Sequence, residues 1–228
     1  EYASDPRVSP DGSQVAYVRV SMDIMTDRAQ RAIWVVDTDG TNHRPLVSGQ
    51  GNFSSPRWSP SGDRLAYLSN TEGKTQLFVE WLDAGETARV TSLPQSPRGI
   101  VWSPDGEQIA FTRLVPAPPP MLATMPDNPK GATWAEPATV VDKMTFRVDG
   151  GGYLPSGSQQ LFIVPAHGGT PRQMTSGDFP ISGAVTWTPD SQSVIFSSNR
   201  RDDAEYHPRQ RDLFAAALLT GQITQITD

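Results

Sequence analysis

The sequence predicts an all-β protein made of four β-propeller blades, each a four-stranded antiparallel sheet. The first observation is a turn of the Ser-Pro-Asp-Gly type that recurs along the 228 residues. Its prolines are Pro10, Pro60, Pro104 and Pro189, so one unit spans roughly 45 residues and the last interval holds additional chain. The second observation is that another predicted hairpin follows each of these turns.

The first hairpin of a blade is clearest around residues 102–106, Trp-Ser-Pro-Asp-Gly. Ile100 and Trp102 precede the turn, Ile109 and Phe111 follow it, and their alternation is typical of half-buried strands. Proline presets φ for the first central position of a type I turn, and glycine accepts the left-handed conformation that ends it. The equivalent turns lie at 8–12, 58–62 and 187–191.

The second hairpin completes four strands per unit. Its predicted strand pairs are 32–36 with 44–49, 76–81 with 88–91, 160–164 with 171–175, and 212–217 with 222–227. The blades therefore run approximately over 2–50, 51–94, 95–178 and 179–228, and the third carries an insertion at 114–158. A β-helix would need shorter repeats, and an immunoglobulin-like sandwich would not repeat one motif four times.

Three segments depart from a minimal blade. Residues 22–31 link the two halves of the first blade, and their length predicts an excursion from the rim. The stretch 115–137 contains Pro118-Pro119-Pro120 and predicts an extended connection, because proline is excluded from helix interiors and central strands. The same insertion also contains residues 140–154, which could hold a strand and a glycine turn. The third segment is 199–208, which predicts a charged excursion in the fourth blade.

Composition excludes several classes of protein. The net charge is −6, with 25 acidic and 19 basic residues and no long basic block, so nucleic acid is not an expected partner. Cysteine is absent, which excludes disulfides and thiolate metal sites. No apolar run is long enough for a membrane span. The chain opens without methionine, which we interpret as a removed export signal or a piece of a longer protein.

No catalytic residue, metal ligand or cofactor site is predicted within the chain. A serine hydrolase of the α/β type needs Gly-x-Ser-x-Gly, which does not occur. His43 and His167 fall in predicted hairpin turns, and His207 has no partner that the sequence identifies. The turn aspartates lack the pattern of a calcium loop, and Gly150-Gly151-Gly152 favours a turn over a phosphate site.

The charged excursion is the best candidate for a binding role. Its arginines could hold a carboxylate through two parallel hydrogen bonds, and its carboxylates at 202, 203 and 205 could hold an amino group. The alternative is a solvated loop with weak internal ion pairs. The predicted substrate-binding residues are Arg200, Arg201, Asp202, Glu205 and Tyr206.

The repeats resemble those of the periplasmic TolB-like propellers and of the propeller domains of prolyl oligopeptidase-type serine peptidases. More specific motifs resemble the amino-terminal half of bacterial acylaminoacyl-peptidase or dipeptidyl-peptidase-like members of that peptidase family. They lie at 21–27, 134–137, 149–154, 168–178 and 198–203. The resemblance covers essentially the whole chain, including the insertion.

This resemblance implies that the intact protein joins a propeller of seven or eight blades to a carboxy-terminal α/β-hydrolase domain with a Ser, Asp and His triad. The present chain would hold four blades and none of the triad, and it would restrict entry to short peptides. An open half-ring exposes apolar faces, so we expect it to need the remaining blades, the hydrolase domain or a second copy. The expected location is periplasmic or secreted, with the cytoplasm as the alternative. A TolB-like binding module without catalytic activity is the other function considered.

Overall fold

A computed structural model of the protein describes residues 1–118, 123, 126–135 and 138–227. Part of the predicted proline-rich connection, including Pro119 and Pro120, lies outside the described residues. Four antiparallel sheets of four strands each confirm the predicted blades. A separate two-stranded sheet lies within the insertion of the third blade.

Each blade is formed by strands that are consecutive in the chain, apart from that insertion. The first blade contains β1 (Tyr2–Val8), β2 (Gln14–Asp23), β3 (Arg28–Asp37) and β4 (Arg44–Val47). The second contains β5 (Phe53–Trp58), β6 (Arg64–Ser69), β7 (Gln76–Trp81) and β8 (Glu86–Arg89).

The third blade contains β9 (Arg98–Trp102), β10 (Gln108–Pro116), β13 (Gly157–Pro165) and β14 (Arg172–Gln173), with the small hairpin β11 (Arg147–Val148) and β12 (Gly152–Tyr153) in its insertion. The fourth contains β15 (Ile181–Trp187), β16 (Ser193–Ser198), β17 (Asp212–Ala217) and β18 (Ile223–Gln225). The first strands β1, β5, β9 and β15 contact one another in that order, which places them at the inside of an arc of blades.

Two segments are more regular than predicted. The linker expected at 22–31 is largely a continuation of the β2–β3 ladder, which pairs Met22 with Ala29 and Asp23 with Arg28. Because the two strands stay in register, the excursion is a protruding β-hairpin. In the third blade the ladder likewise continues to the pair of Pro116 and Gly157, so the chain outside the sheet runs over 117–156.

One aromatic pair lies at the same cross-strand position in the second and third strands of every blade. The pairs are Tyr17 with Trp34, Tyr67 with Phe78, Phe111 with Phe162, and Phe196 with Phe214. In the last three blades the rings stack with centroids 5.7 to 5.8 Å apart. Such pairs stabilise a sheet beyond the area that they bury, so the last three blades share the same aromatic centre.

In the second, third and fourth blades, the tryptophan before the turn connects its blade to the preceding one. Trp58 donates its indole N–H to the carbonyl of Arg7, at 2.9 Å, and Trp102 donates to Arg57, also at 2.9 Å. The indole N–H of Trp187 likewise donates to the carbonyl of Val101, at 3.2 Å. Apolar side chains fill the space between successive blades in three clusters. The motif therefore specifies contacts between blades as well as a turn within one.

Both ends of this arc expose apolar faces. Leu213 is 42% exposed, whereas Leu77 and Leu161, which hold the equivalent position one residue before the aromatic pair, are fully buried against a following blade. At the other end Val8 takes the place of the tryptophan and is 60% exposed. The described residues thus form an open arc, as the sequence led us to expect.

We expect the chain by itself to sediment as a dimer or larger species, because association would cover these faces. Leu213→Lys should shift the distribution toward monomer in analytical ultracentrifugation. Leu219→Lys is the matched control, since Leu219 is also exposed but lies in the turn after β17. A wild-type chain that sediments as a clean monomer would contradict this expectation.

The turn aspartates are held by hydroxyl and amide donors of their own turns. The carboxylate of Asp11 accepts hydrogen bonds from Ser9 Oγ at 2.6 Å and from Ser13 Oγ at 2.8 Å. Together with the Ser13 N–H, these donors lower the pKa of Asp11 to about 2. Asp190 is held in the same way by Thr188 and the N–H of Gln192, which lower its pKa.

This lowered pKa predicts a pH dependence. An unfolded aspartate has a pKa of about 4. The contribution of the Asp11 carboxylate to the free energy of unfolding is therefore complete above that pH and is lost as the pH falls toward 2. The Asp11→Asn variant lacks this titration, so its difference from wild type in urea midpoint should shrink between pH 5 and pH 2. A difference that is constant over this range would show that the carboxylate charge has no role.

Candidate functional site

The excursions of the blades all lie on one side of the arc. In an antiparallel meander the connection between the second and third strands lies opposite the other two connections. The loops 24–27, 117–156 and 199–211 are all connections of this kind. We call their common side the insertion face. The Ser-Pro-Asp-Gly turns lie on the opposite side.

The insertion face presents exposed apolar side chains on ordered loops. Ile24 and Met25, at the tip of the first hairpin, are 92% and 88% exposed. Asp23 fixes this tip, because its carboxylate accepts from the N–H of Met25 at 3.0 Å and from Thr26 Oγ1 at 2.8 Å. Tyr206 on the fourth blade is 75% exposed. The adjacent pair of Ile24 and Met25 favours contact with another molecule, whereas a single exposed side chain such as Tyr206 is common on protein surfaces.

The charged excursion of the fourth blade is a series of tight turns pinned by one side chain. Asn199 Nδ2 donates to the carbonyl of His207 at 2.9 Å and also reaches that of Ala204, at 3.4 Å. Consecutive backbone hydrogen bonds close the turns between these points. The loop therefore holds its arginines in defined positions.

Arg200 lies in an aromatic cage. Its guanidinium carbon is 5.1 Å from the ring centre of Phe179, 5.4 Å from that of Phe214 and 5.9 Å from that of Phe196. The side chain is half-buried, and this burial lowers the pKa of the guanidinium. Its Nε is fully buried and has no hydrogen-bond acceptor among the described residues.

Arg201 has different partners. Its guanidinium donates to Gln210 Oε1 at 2.8 Å and lies 3.7 Å from the carboxylate of Asp212, which is nearly buried. The two arginines therefore do not form a joint clamp in the structure. Arg201 instead ties the loop to the start of β17.

The acidic members of the predicted site point outward or pair locally. Asp202 and Glu205 are exposed, as is Tyr206. Asp203 lies 3.4 Å from His207 in an exposed pair within the same loop. Among the described residues, the structure does not bring these carboxylates together with Arg200 as one site.

A groove of about 480 Å³ lies at the foot of the third-blade insertion. The ammonium of Lys143 lies 2.6 Å from Asp178, whose other carboxylate oxygen accepts from Ser158 at 2.8 Å. These donors lower the pKa of Asp178. Gly177 also lines the groove, and the ring of Phe179 from the Arg200 cage lies close to Gly177.

Arg113 is a second half-buried cation, which the sequence analysis missed. Its guanidinium lies 4.3 Å from the ring centre of Phe162 and donates to Gln95 Oε1 at 3.0 Å. Its Nε is buried without an acceptor among the described residues, and burial lowers the pKa of the guanidinium. The sequence did offer one indication of this position. Arg113 follows Phe111 by two residues in a strand, so both side chains lie on the same face of the sheet, next to the aromatic pair.

Across the described ranges, no three His, Cys, Asp or Glu side chains cluster in a way that could hold a metal ion. Nor does the part of the chain that the structure describes contain a helix long and apolar enough to cross a membrane.

The blades, their order and the indole contacts between them define this chain as a segment of a β-propeller. Residues 12–115 match the family model of the TolB beta propeller domain. Residues 134–228 match that of the dipeptidyl peptidase IV N-terminal region. The chain is thus related to the amino-terminal propeller regions of prolyl oligopeptidase family peptidases, as the resemblance in its motifs predicted.

Individual relatives agree with this assignment. The chain is 29% identical over 204 residues to the uncharacterized peptidase YuxL of Bacillus subtilis, a match that covers 88% of the chain and 30% of the relative. It is 27% identical over 238 residues to dipeptidyl-peptidase 5 of Porphyromonas endodontalis, covering 97% and 33%. The chain therefore spans about a third of the length of these relatives.

The fold matches that of a solved peptidase. The uncomplexed acylaminoacyl peptidase of Pyrococcus horikoshii superposes with a TM-score of 0.72 at 16% identity. The match covers the whole chain and 32% of that protein. At this identity the likeness shows the fold alone.

Proposed function

We propose that this chain is the substrate-gating propeller portion of a serine peptidase that hydrolyses short peptides, of the acylaminoacyl- or dipeptidyl-peptidase type. The observation that carries the proposal is the match of residues 134–228 to a peptidase amino-terminal region. That range includes most of the third-blade insertion and the whole Arg200 loop, so it extends beyond the repeated turn motif that many propellers share.

In this proposal the nucleophile, its base and the oxyanion hole belong to an α/β-hydrolase domain of the intact protein. The insertion face is the surface that this domain covers, because its ordered loops carry exposed apolar groups such as Ile24 and Met25. The apolar end faces at Leu213 and Val8 would receive further blades, or a second copy of the chain. A peptide would reach the catalytic centre past the groove beside Asp178.

We further propose a periplasmic or secreted location, where a peptidase would meet peptides from outside the cytoplasm. The excess of acidic over basic residues gives no support for a nucleic-acid partner.

A second candidate function is a TolB-like binding module without catalytic activity. The match of residues 12–115 to the TolB propeller domain favours it. In that case the exposed apolar loops of the insertion face would bind a protein partner directly.

Fluorophosphonate labelling of the native protein separates the two functions. The peptidase proposal expects a labelled band well above the 24.8 kDa of this chain that yields peptides from it. Heat-denatured protein is the control, because the label requires an activated serine. An unlabelled band that contains these peptides would overturn the peptidase proposal in favour of the binding module.

A further inference from the structure

Arg200 is a positively charged group that has no counter-ion in the part of the chain that the structure describes. Among the described residues, no carboxylate forms an ion pair with its guanidinium, and its buried Nε has no hydrogen-bond acceptor. The neighbouring acids are already engaged, since Asp212 faces Arg201 and Asp178 binds Lys143 and Ser158.

Such a group is costly unless something compensates its lost hydration. A half-buried charge without a partner destabilises the folded state, and the faces of three phenylalanine rings offset only part of that cost. An anion at the exposed edge of the guanidinium would provide the remaining compensation. The fold therefore favours an anionic ligand at this position.

The cage also sets the shape of the ligand. Because Phe179, Phe196 and Phe214 lie around the guanidinium, the position of the side chain is restricted before any ligand arrives. With Nε fully buried, the two terminal nitrogens are left to face a ligand. A planar pair of N–H donors matches a carboxylate, which has two acceptor oxygens in one plane.

The groove beside the cage supplies room for the rest of the ligand. Its volume of about 480 Å³ lies within the range of roughly 300–1,000 Å³ that is usual for small-ligand sites. Gly177 and Asp178 line the groove, and the ring of Phe179 lies against both Gly177 and the guanidinium. A ligand in the groove could therefore place its end at Arg200.

We propose that Arg200 binds a carboxylate of a peptide whose remaining part lies in the groove at the foot of the insertion. The carboxylate is either the peptide's free carboxyl terminus or an Asp or Glu side chain, both of which present the same acceptor pair. That the ligand is a peptide rests on the proposed function. The preference for a carboxylate rests on the aromatic cage and on the finding that no described residue acts as a counter-ion to Arg200.

The test uses the complete polypeptide, treated beforehand with a fluorophosphonate so that hydrolysis cannot consume the ligand. Calorimetry would compare N-acetyl-trialanine as the free acid, the same peptide as its terminal amide, and N-acetyl-Ala-Asp-Ala amide. We expect at least one of the two acids to bind about tenfold more tightly than the neutral amide. Whichever acid binds identifies the source of the carboxylate.

The Arg200→Gln variant should lose this preference while the neutral amide binds as before. Arg201→Gln is the matched control, because Arg201 lies in the same loop but already faces Asp212, and it should keep the preference. Arg200→Lys retains the positive charge but lacks the planar pair of guanidinium donors, so it should keep only part of the preference for acids over the amide. Circular dichroism and the melting midpoint confirm that each variant is folded.

Equal binding of acids and amide, no measurable binding of any of the three, or an unchanged preference in Arg200→Gln would each overturn the proposal. A failure of the carboxylate-binding proposal can be told apart from a failure of the proposed peptidase function. The binding comparison needs no nucleophile, so a preference for acids in a protein that does not label would leave a binding module with a carboxylate site.

Discussion

Replacing Trp102 with alanine is expected to lower the free energy of unfolding by about 3–5 kcal/mol, as for other buried aromatic side chains. Trp102 is almost fully buried between the second and third blades, where its indole donates to the carbonyl of Arg57. It also lies 5.0 Å from the guanidinium of Arg64, which donates to Gly106 across the same interface at 3.1 Å. The substitution therefore weakens the contact between two blades while leaving each blade's own ladder intact.

Urea unfolding followed by circular dichroism would measure this effect. In a repeat protein a weakened interface separates the unfolding of the units on either side of it, so the variant should unfold over a broader range or in two steps. Trp102→Phe is the matched control, since it keeps most of the buried area but loses the hydrogen bond, and should cost about 1–2 kcal/mol. A loss below about 1 kcal/mol in Trp102→Ala would show that this contact does not couple the blades.

Replacing Gly157 with alanine is the second large effect that we expect. Gly157 has a φ of 125°, and a methyl group there would clash with the carbonyl oxygen of Val115 and lie 2.8 Å from the Cα of Pro116. Because both contacts are with backbone atoms of the paired strand, the end of the β10–β13 ladder must open. We expect the free energy of unfolding to fall by about 3 kcal/mol or more, and the two strands to move apart where the insertion begins and ends.

Gly168→Ala separates conformational strain from this clash. Gly168 also has a positive φ, of 93°, but no atom lies within 4 Å of a methyl group placed there. The Gly168→Ala substitution should therefore lower the free energy of unfolding by only about 1–2 kcal/mol, the usual cost of placing a residue with a side chain in a left-handed conformation. Equal losses in the two variants, measured by thermal unfolding, would show that the Val115 carbonyl does not constrain Gly157.

The blades were predictable because their signals are local. Proline, aspartate and glycine specify a turn within four residues, and the alternation of apolar residues on either side specifies the strands that the turn joins. The tryptophan of the motif was correctly expected in a strand. Its hydrogen bond to the preceding blade was not predictable, because Trp102 and Arg57 are 45 residues apart and meet only when two blades stack.

The candidate site was only partly predictable for the same reason. The charges of 199–208 indicated a binding loop, and the sequence alone placed Arg200 and Arg201 side by side. It could not show that one arginine enters a cage while the other binds Asp212, since neighbouring side chains in a series of turns point in different directions.

Composition, turn chemistry and the repeated alternation by themselves determined that this protein is an array of four-stranded antiparallel blades without cysteine chemistry. Only the tertiary structure decided which side of the array carries the insertions, which faces remain exposed and which arginine enters an aromatic cage. Those properties depend on contacts between residues far apart in the chain. The cage of Arg200 requires Phe179, Phe196 and Phe214, which belong to the segment before β15 and to the strands β16 and β17, and these come together only when the fourth blade folds.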